Sequence, residues 1–224
     1  SESREMVSIF HASISRLDEF SSTLGPKRRS ERVDFIFMEL DRIAIEFGLF
    51  RIETIGETYM VVANLVKDQT TDHAKRVIDF AVAATKAARN IMVDPNHPQF
   101  GFISLRVGCH SGSVIADVVG SKTPRYCLFG ETVKTVRAME RGSLVGRINC
   151  SETTAQLLRS QSPEILLTPH GANSSIGGCR SNTSYWVSLN AVSWDISKTN
   201  PQINVTTQPT DNSLTRLSQC TATT

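Results

Sequence analysis

The chain has 224 residues, 40% of them hydrophobic, which is enough to bury the core of one large domain or of one domain with tails. Lysine and arginine number 24 against 22 aspartate and glutamate, so a net charge of +2 gives no electrostatic argument for binding nucleic acid or a membrane surface. No apolar run approaches the ~18 residues of a membrane span, and we expect no membrane insertion within this chain. Five widely spaced cysteines, an odd number, indicate a reducing, cytoplasmic environment.

The first half of the chain combines short apolar strands with amphipathic helices. Residues 7–10 predict a strand, and a basic, solvated loop around 26–29 separates it from a helix at 32–47, whose apolar residues keep helical spacing. Gly48 is a natural stop for that helix. Asp72 is placed to cap a second helix, whose narrow stripe of small residues predicts close packing on a sheet.

Between these two helices, residues 50–62 predict a β-hairpin. Gly56 and Glu57 form a two-residue turn of the kind that needs glycine first, and strand alternation continues on both sides of it. This arrangement places two carboxylates, Glu53 and Glu57, at one hairpin tip. Glu57 alone is equally well explained as a solvated turn residue. Glu53 shares a face with apolar Ile55, and a buried carboxylate needs a partner.

The second half of the chain predicts a further strand pair and a closing strand. Residues 104–110 and 113–119 are expected to form a hairpin that turns at Ser111 and Gly112. The remaining predicted elements are a strand at 125–129, a helix at 131–141, a strand at 147–150, a short helix capped by Ser151 and a last strand at 185–189. Hairpin-joined strands with helices packed against one face indicate an α+β layered sandwich rather than a doubly wound parallel sheet.

Three stretches together resemble one known family. They are Arg-Ile-Glu-Thr-Ile-Gly-Glu-Thr-Tyr-Met-Val-Val at 51–62, Leu-Arg-Val-Gly-Cys-His-Ser-Gly-Ser-Val at 105–114 and Pro-Arg-Tyr-Cys-Leu-Phe-Gly-Glu-Thr-Val at 124–133. In residues, order and spacing they resemble the catalytic domain of class III nucleotidyl cyclases, of the eukaryotic guanylate cyclase type. The resemblance implies a ferredoxin-like α/β sandwich with a mainly antiparallel sheet.

The resemblance also divides the chain into three parts. The cyclase-like domain covers residues 6–190, and residues 1–5 are expected to be an N-terminal remnant of a longer protein. Residues 191–224 are rich in Thr, Ser, Gln, Asn and Pro, a composition that predicts a disordered tail because it cannot bury a core. We expect the domain to be cytoplasmic, either by itself or as the cytosolic part of a membrane receptor.

In this family two domains are arranged head to tail, and each supplies half of each active site. The chemistry is attack of the ribose 3′-hydroxyl of GTP on the α-phosphate, which yields cyclic GMP and pyrophosphate. Two Mg²⁺ or Mn²⁺ ions on two aspartates serve that chemistry, since hard oxygen ligands suit these cations. The resemblance therefore implies GTP as ligand and a partner cyclase domain, in a homodimer or a heterodimer.

Two residues carry the expected guanine selectivity. Members that use GTP have Glu in the hairpin and Cys in a later strand, and the matching residues here are Glu53 and Cys127. A carboxylate suits the N1 and N2 donors of guanine, and it is left unpaired against adenine. Cys127 taken alone is better explained as a small buried hydrophobic residue.

The metal-binding positions depart from the family pattern. Ser13 stands where the first aspartate is expected, while Ile14, whose backbone carbonyl is a ligand in the family, is kept. Glu57 replaces the second aspartate, with the same charge and one more methylene. Arg16 occupies the place of a glycine where backbone amides approach phosphate. The resemblance thus implies a weakened Mg²⁺ or Mn²⁺ site.

The positions that stabilise the transition state depart as well. The family's Asn and Arg fall on Lys134 and Ala138, and its C-terminal lysine falls on Cys179. Removing one preorganised donor typically costs about 2.7 to 4 kcal/mol, so one such loss removes most of the rate. Two hypotheses follow: a guanylate cyclase domain that is weak or inactive alone, or a pseudo-cyclase that binds GTP or only dimerises to regulate a catalytic partner.

Overall fold

A computed structural model describes residues 1–15, 17–52, 56–122, 124–172 and 183–190. The helices in this part of the chain are α1 (Ser21–Glu46), α2 (His73–Ala88), α3 (Glu131–Arg141) and α4 (Glu152–Gln161). The strands are β1 (Glu2–Ser15), β2 (Phe50–Ile52), β3 (Thr58–Ala63), β4 (Ser104–Val119), β5 (Arg125–Phe129), β6 (Ile148–Ser151), β7 (Leu167–Ala172) and β8 (Thr183–Val187). The residues assigned to the tail and the loop at 173–182 lie outside the described residues.

The strands form one mixed sheet in the order β2, β3, β1, β4, β6, β8, β7, and β5 pairs with the second half of β4. Every strand pair is antiparallel except β4 with β6. The predicted α+β class and mainly antiparallel sheet are confirmed. β1 lies in the middle of this order, with β3 on one side and β4 on the other.

Both faces of the sheet are covered by helices. Phe10, Ala12 and Ile14 of β1 belong to the main core with residues of α1, α2 and α4. Val7 and Ile9 belong to a second core on the opposite face, with Val133 and Val136 of α3. The prediction that all helices pack against one face is therefore wrong for α3. Because β1 is apolar on both of its alternating faces, it requires cover on both sides.

β4 is one continuous strand, and the predicted hairpin turn at Ser111 and Gly112 is wrong. Gly112 pairs with Val7 of β1 within the ladder. A Cβ at Gly112 would lie 2.6 Å from Thr132 Oγ1, so glycine there allows α3 to approach the sheet. The glycine serves a tertiary contact, which explains why a local turn rule misassigned it.

The hairpin and its neighbours also differ in detail from the prediction. The β2–β3 register pairs Ile52 with Met60 and so centres the hairpin on Gly56, which is inconsistent with a two-residue turn at 56–57. Gly56 does adopt the expected positive φ, +78°. The basic segment predicted as a loop lies inside α1, which kinks at Gly25 before Pro26. β7 was not predicted; it forms the sheet edge beyond β8, where Pro169 is tolerated.

The close approach of α3 to β4 at Gly108 provides a stability test. A Cβ at Gly108 would lie 2.2 Å from the backbone nitrogen of Glu140, whereas at Gly142 the nearest atom would be 3.4 Å away. We expect Gly108→Ala to lower the free energy of unfolding by about 2–3 kcal/mol, because α3 must move off the sheet. Gly142→Ala is the matched control and should change it little. Urea unfolding measures both, and equal effects would contradict this packing.

Candidate active site

The end of β1 and the hairpin turn bring three of the predicted metal-site residues together. Ser13 pairs with Thr58 at the start of β3. The backbone N–H of Ile14 donates to the backbone carbonyl of Glu57, with an N···O distance of 3.2 Å. The structure therefore places Ser13, Ile14 and Glu57 side by side, although 43 residues separate Ile14 from Glu57 in the sequence.

Ser13 is engaged by a carboxylate from α3. Its hydroxyl donates a hydrogen bond to Oε1 of Glu140. The Glu140 side chain is only 7% exposed, and Arg106 Nε lies 3.9 Å from Oε1. Ser13 and Arg106 are also register partners on β1 and β4. The carboxylate is thus held between a hydroxyl donor and a guanidinium on the same face of the sheet.

His11, two residues before Ser13, lies beside the same carboxylate but is not bonded to it. Its Nδ1 is 4.0 Å from Oε2 of Glu140, too far for a hydrogen bond. Burial, together with the nearby charges of Arg137 and Arg141, lowers the pKa of His11 to about 4. The imidazole is therefore neutral at pH 7, and it does not contribute a charge to this cluster.

Glu57 is engaged by an arginine of α1. Arg29 Nε forms an ion pair and hydrogen bond with Oε1 of Glu57. Both side chains are 25% exposed, so the pair is partly shielded from water. The prediction that this basic segment is a solvated loop is wrong here, because α1 directs one of its arginines to the hairpin turn.

These contacts decide how well the residues fit a divalent cation. The Glu57 carboxylate, the Ile14 carbonyl and the Ser13 hydroxyl are hard oxygen groups, as Mg²⁺ prefers. However, the Glu57 carboxylate is paired with Arg29, and the Ser13 hydroxyl donates its hydrogen bond to Glu140. No cluster of three or more His, Cys, Asp or Glu suited to a metal occurs among the described residues. The fit is poor.

The predicted transition-state positions lie on the outer side of α3. Lys134 and Ala138 are one helical turn apart and so share a face. Lys134 is exposed, and its Nζ lies 2.7 Å from Oε1 of Glu131. Ala138 is half-buried, and the adjacent Arg137 is exposed. The face away from the sheet thus presents a lysine at the position predicted to match the family's asparagine and a methyl group at the position predicted to match its arginine.

Cys127 lies at the middle of β5, half-buried, opposite Asp117 of β4. Its neighbour Tyr126 contacts the ring of Phe50 at the start of the hairpin, with ring centroids 5.5 Å apart. The first hairpin strand therefore approaches the strand that carries Cys127. Glu53, Cys179 and Arg16 lie outside the described residues.

Comparison with known proteins decides the family. A sequence model of the adenylate and guanylate cyclase catalytic domain matches residues 1–188. The chain belongs to this family. The soluble guanylate cyclase gcy-34 of Caenorhabditis elegans is 40% identical over 129 residues, 58% of this chain and 18% of that protein. The receptor-type guanylate cyclase gcy-28 of the same organism is 34% identical over 160 residues, 71% of this chain and 12% of that protein.

The chain thus spans less than a fifth of these curated relatives. Solved cyclase domains confirm its fold. The guanylate cyclase domain of RhGC from Catenaria anguillulae, in complex with GTP, superposes with a TM-score of 0.75 at 28% identity, covering 84% of this chain and 98% of that one. A non-canonical dimeric guanylyl cyclase domain of the RhoGC fusion protein from Blastocladiella emersonii gives a TM-score of 0.74 at 29% identity with the same coverage.

Sequence reasoning did not identify two residues of this cyclase domain that contact the predicted site. Arg29 belongs to a basic run that lies inside α1. Extending the predicted helix back through this run was the available signal, because an arginine on a helix points in a fixed direction. Glu140 is a charged residue on the otherwise apolar, buried face of α3, next to Val136 and Met139. A carboxylate at such a position requires a polar partner, and that requirement could have directed attention to Ser13.

Two buried histidines of the cyclase domain predict how its stability depends on pH. Burial lowers the pKa of both His11 and His110 from 6.5 to about 4. Between those values the unfolded chain binds more protons than the folded one, so stability is full above pH 6.5 and is lost as the pH falls toward 4. Each histidine contributes a slope of up to about 1.4 kcal/mol per pH unit.

Urea unfolding at stepped pH measures this dependence. His11→Gln and His110→Gln should each flatten the decline in the free energy of unfolding between pH 6.5 and pH 5, because glutamine does not titrate. A decline of unchanged steepness in both variants would show that other groups cause it.

Proposed function

We propose that this domain works in cyclic GMP signalling as one half of a head-to-tail pair of cyclase domains, with weak GTP cyclase activity of its own. One observation carries the weak activity: at both predicted metal positions the side chain already has a protein partner, Glu140 for Ser13 and Arg29 for Glu57. Family membership supports the reaction class, which is conversion of GTP to cyclic GMP and pyrophosphate.

Guanine recognition falls to Glu53 and Cys127 in this proposal. The carboxylate of Glu53 accepts from the N1 and N2 donors of the base, which adenine cannot offer in the same arrangement. The approach of Phe50 to Tyr126 supports a pocket shared by the hairpin and β5. The related Catenaria domain was solved in complex with GTP, which supports GTP as the ligand here.

The chain's own residues account for a slow reaction. Because Ser13 and Glu57 fit Mg²⁺ or Mn²⁺ poorly, this half of the site lacks the activation of the ribose hydroxyl and the charge neutralisation that such ions would supply. Lys134 donates to the nucleotide from the outer face of α3, but Ala138 supplies no cation and Cys179 replaces a lysine. Each missing donor leaves the transition state less stabilised, because such donors act on the negative charge that develops on the phosphate.

A second candidate is a pseudo-cyclase that binds GTP or only dimerises and regulates a catalytic partner domain. The engagement of Ser13 and Glu57 favours it, because a nucleotide would have to displace two existing contacts before metal could bind. Soluble and receptor-type cyclases among the relatives support a cytoplasmic location, whether free or attached to a receptor. No described helix is long and apolar enough to cross a membrane.

An exposed apolar surface supports the dimer. Three large hydrophobic side chains on one face of the β4–β5 pair are about half exposed: Ile115, Val119 and Phe129. Water-exposed apolar clusters of this kind mark protein–protein contacts. The Blastocladiella domain was solved as a non-canonical dimer, which supports pairing between cyclase domains in general. The occupant that we propose for the β4–β5 surface is a second cyclase domain, in a homodimer or a heterodimer.

The dimer surface can be tested with a matched pair of substitutions. Val119 and Val66 are 49% and 55% exposed, but only Val119 lies on the β4–β5 surface. We expect Val119→Glu to weaken self-association at least about tenfold, because a carboxylate is desolvated in the interface, while Val66→Glu leaves it unchanged. Sedimentation equilibrium measures both; equal behaviour of the two variants would place the interface elsewhere.

The activity test uses the purified chain with Mn-GTP and follows cyclic GMP formation. We expect turnover at least about 10²-fold below that of an intact cyclase domain. We expect a triple variant to raise turnover at least about tenfold. Its substitutions are Ser13→Asp, which restores a carboxylate, Ala138→Arg, which restores a cation, and Arg29→Gln, which releases Glu57 from its ion pair. Ala138→Met in place of Ala138→Arg is the control for bulk without charge.

Binding of a fluorescent GTP analogue accompanies that assay. Glu53→Lys should abolish the preference for the guanine over the adenine analogue, because it replaces an acceptor with a donor. Wild-type turnover equal to that of an intact cyclase would remove both the weak-cyclase and the pseudo-cyclase proposals. Absence of both turnover and binding would leave only the dimerisation role.

A further inference from the structure

The pair formed by Arg29 and Glu57 has the charge pattern of a carboxylate that already holds a cation. The guanidinium Nε donates directly to Glu57 Oε1, and both side chains are three-quarters buried. The backbone at Glu57 is also held in place, because the Glu57 carbonyl accepts a hydrogen bond from the Ile14 N–H, with an N···O distance of 3.2 Å. A guanidinium remains charged at any pH at which the domain is folded. The hairpin carboxylate is therefore permanently neutralised from within the chain.

A divalent cation on the same carboxylate would meet direct repulsion. Mg²⁺ or Mn²⁺ binds a carboxylate oxygen at about 2.1 Å, which would leave it within a few ångströms of the guanidinium. The other ligand position does not offset this repulsion, because Ser13 is neutral and its hydroxyl donates a hydrogen bond to Glu140. Glu140 is itself committed, with Arg106 Nε 3.9 Å from its Oε1. The two carboxylates described at the site, Glu57 and Glu140, thus each face an arginine.

We propose that Arg29 takes the place of the divalent cation at Glu57, so that this half of the site binds the nucleotide without metal. The proposal rests on the nucleotide binding proposed above and concerns its metal requirement. In this proposal Glu57 still has a role, because its carboxylate holds Arg29 in position. A domain of this kind retains a bound guanine nucleotide when divalent cations are removed.

The test measures the dissociation constant of a fluorescent GTP analogue for the whole chain, in excess EDTA and in millimolar MnCl₂. For the wild type we expect the two values to agree within about twofold. Arg29→Gln should make binding depend on Mn²⁺ by at least about tenfold, because Glu57 is released as a ligand. Arg28→Gln is the matched control: Arg28 is adjacent in α1 but lies 3.5 Å from Asp94 instead, and it should behave as the wild type.

A wild type that loses about tenfold or more affinity in EDTA would overturn the proposal. An Arg29→Gln variant that remains indifferent to Mn²⁺ would overturn the role given to Arg29. If no variant binds the nucleotide, the nucleotide-binding function fails, and titration of Mn²⁺ alone by electron paramagnetic resonance decides the metal question. The proposal then expects no Mn²⁺ bound to the wild type, and binding that disappears in Glu57→Gln would overturn it. Far-ultraviolet circular dichroism confirms that each variant is folded.

Discussion

The central strand β1 is the constraint on which the rest of the structure depends. It has a strand on each side and helical cover on each face, so every side chain from Val7 to Ala12 is buried. A shift of one residue in such a strand would exchange the side chains that fit its two cores and so disrupt the packing of both. Ser13 and Ile14, near the end of β1, are consequently fixed relative to β3 and β4. The candidate site is therefore built on a rigid strand.

A buried polar chain reinforces the same register. Ser8 of β1 bonds to His73 Nδ1 at 2.8 Å and to Ser111 Oγ at 2.7 Å, and Ser111 bonds to Thr154 at 3.0 Å. These four residues belong to β1, α2, β4 and α4, so one connected network ties two strands to two helices. Fully satisfied buried networks specify a unique arrangement, because any slip leaves donors unpaired in a low dielectric. This network holds the main core on the face opposite α3.

The sequence predicted the elements whose signals are local. The helical spacing of α2 and α3 and the cap of α4 by Ser151, whose Oγ accepts from Thr154 N, needed no knowledge of the fold. The role of Gly112 could not be predicted in this way, since the helix that requires it lies about twenty residues further along the chain. β7 was missed because Pro169 and Gly171 argue against a strand, and only its place at the sheet edge accommodates them.

The candidate site shows the same division between local and tertiary information. The hairpin pattern placed Glu57 at a turn, but only the resemblance gave Glu57 and Ser13 a metal-binding role, because a serine and a turn glutamate carry no local signature of a metal site. Their partners come from α3 and α1, elements that only the folded chain brings to the end of β1. Ser13 is matched by a hydrogen-bonded carboxylate, and Glu57 by a guanidinium. Substitutions that simply disabled a metal site would leave an unpaired charge, which is costly when partly buried. Here the charges are internally balanced, since Glu57 faces Arg29 and Glu140 faces Arg106, and this balance is what the proposed metal-independent binding rests on.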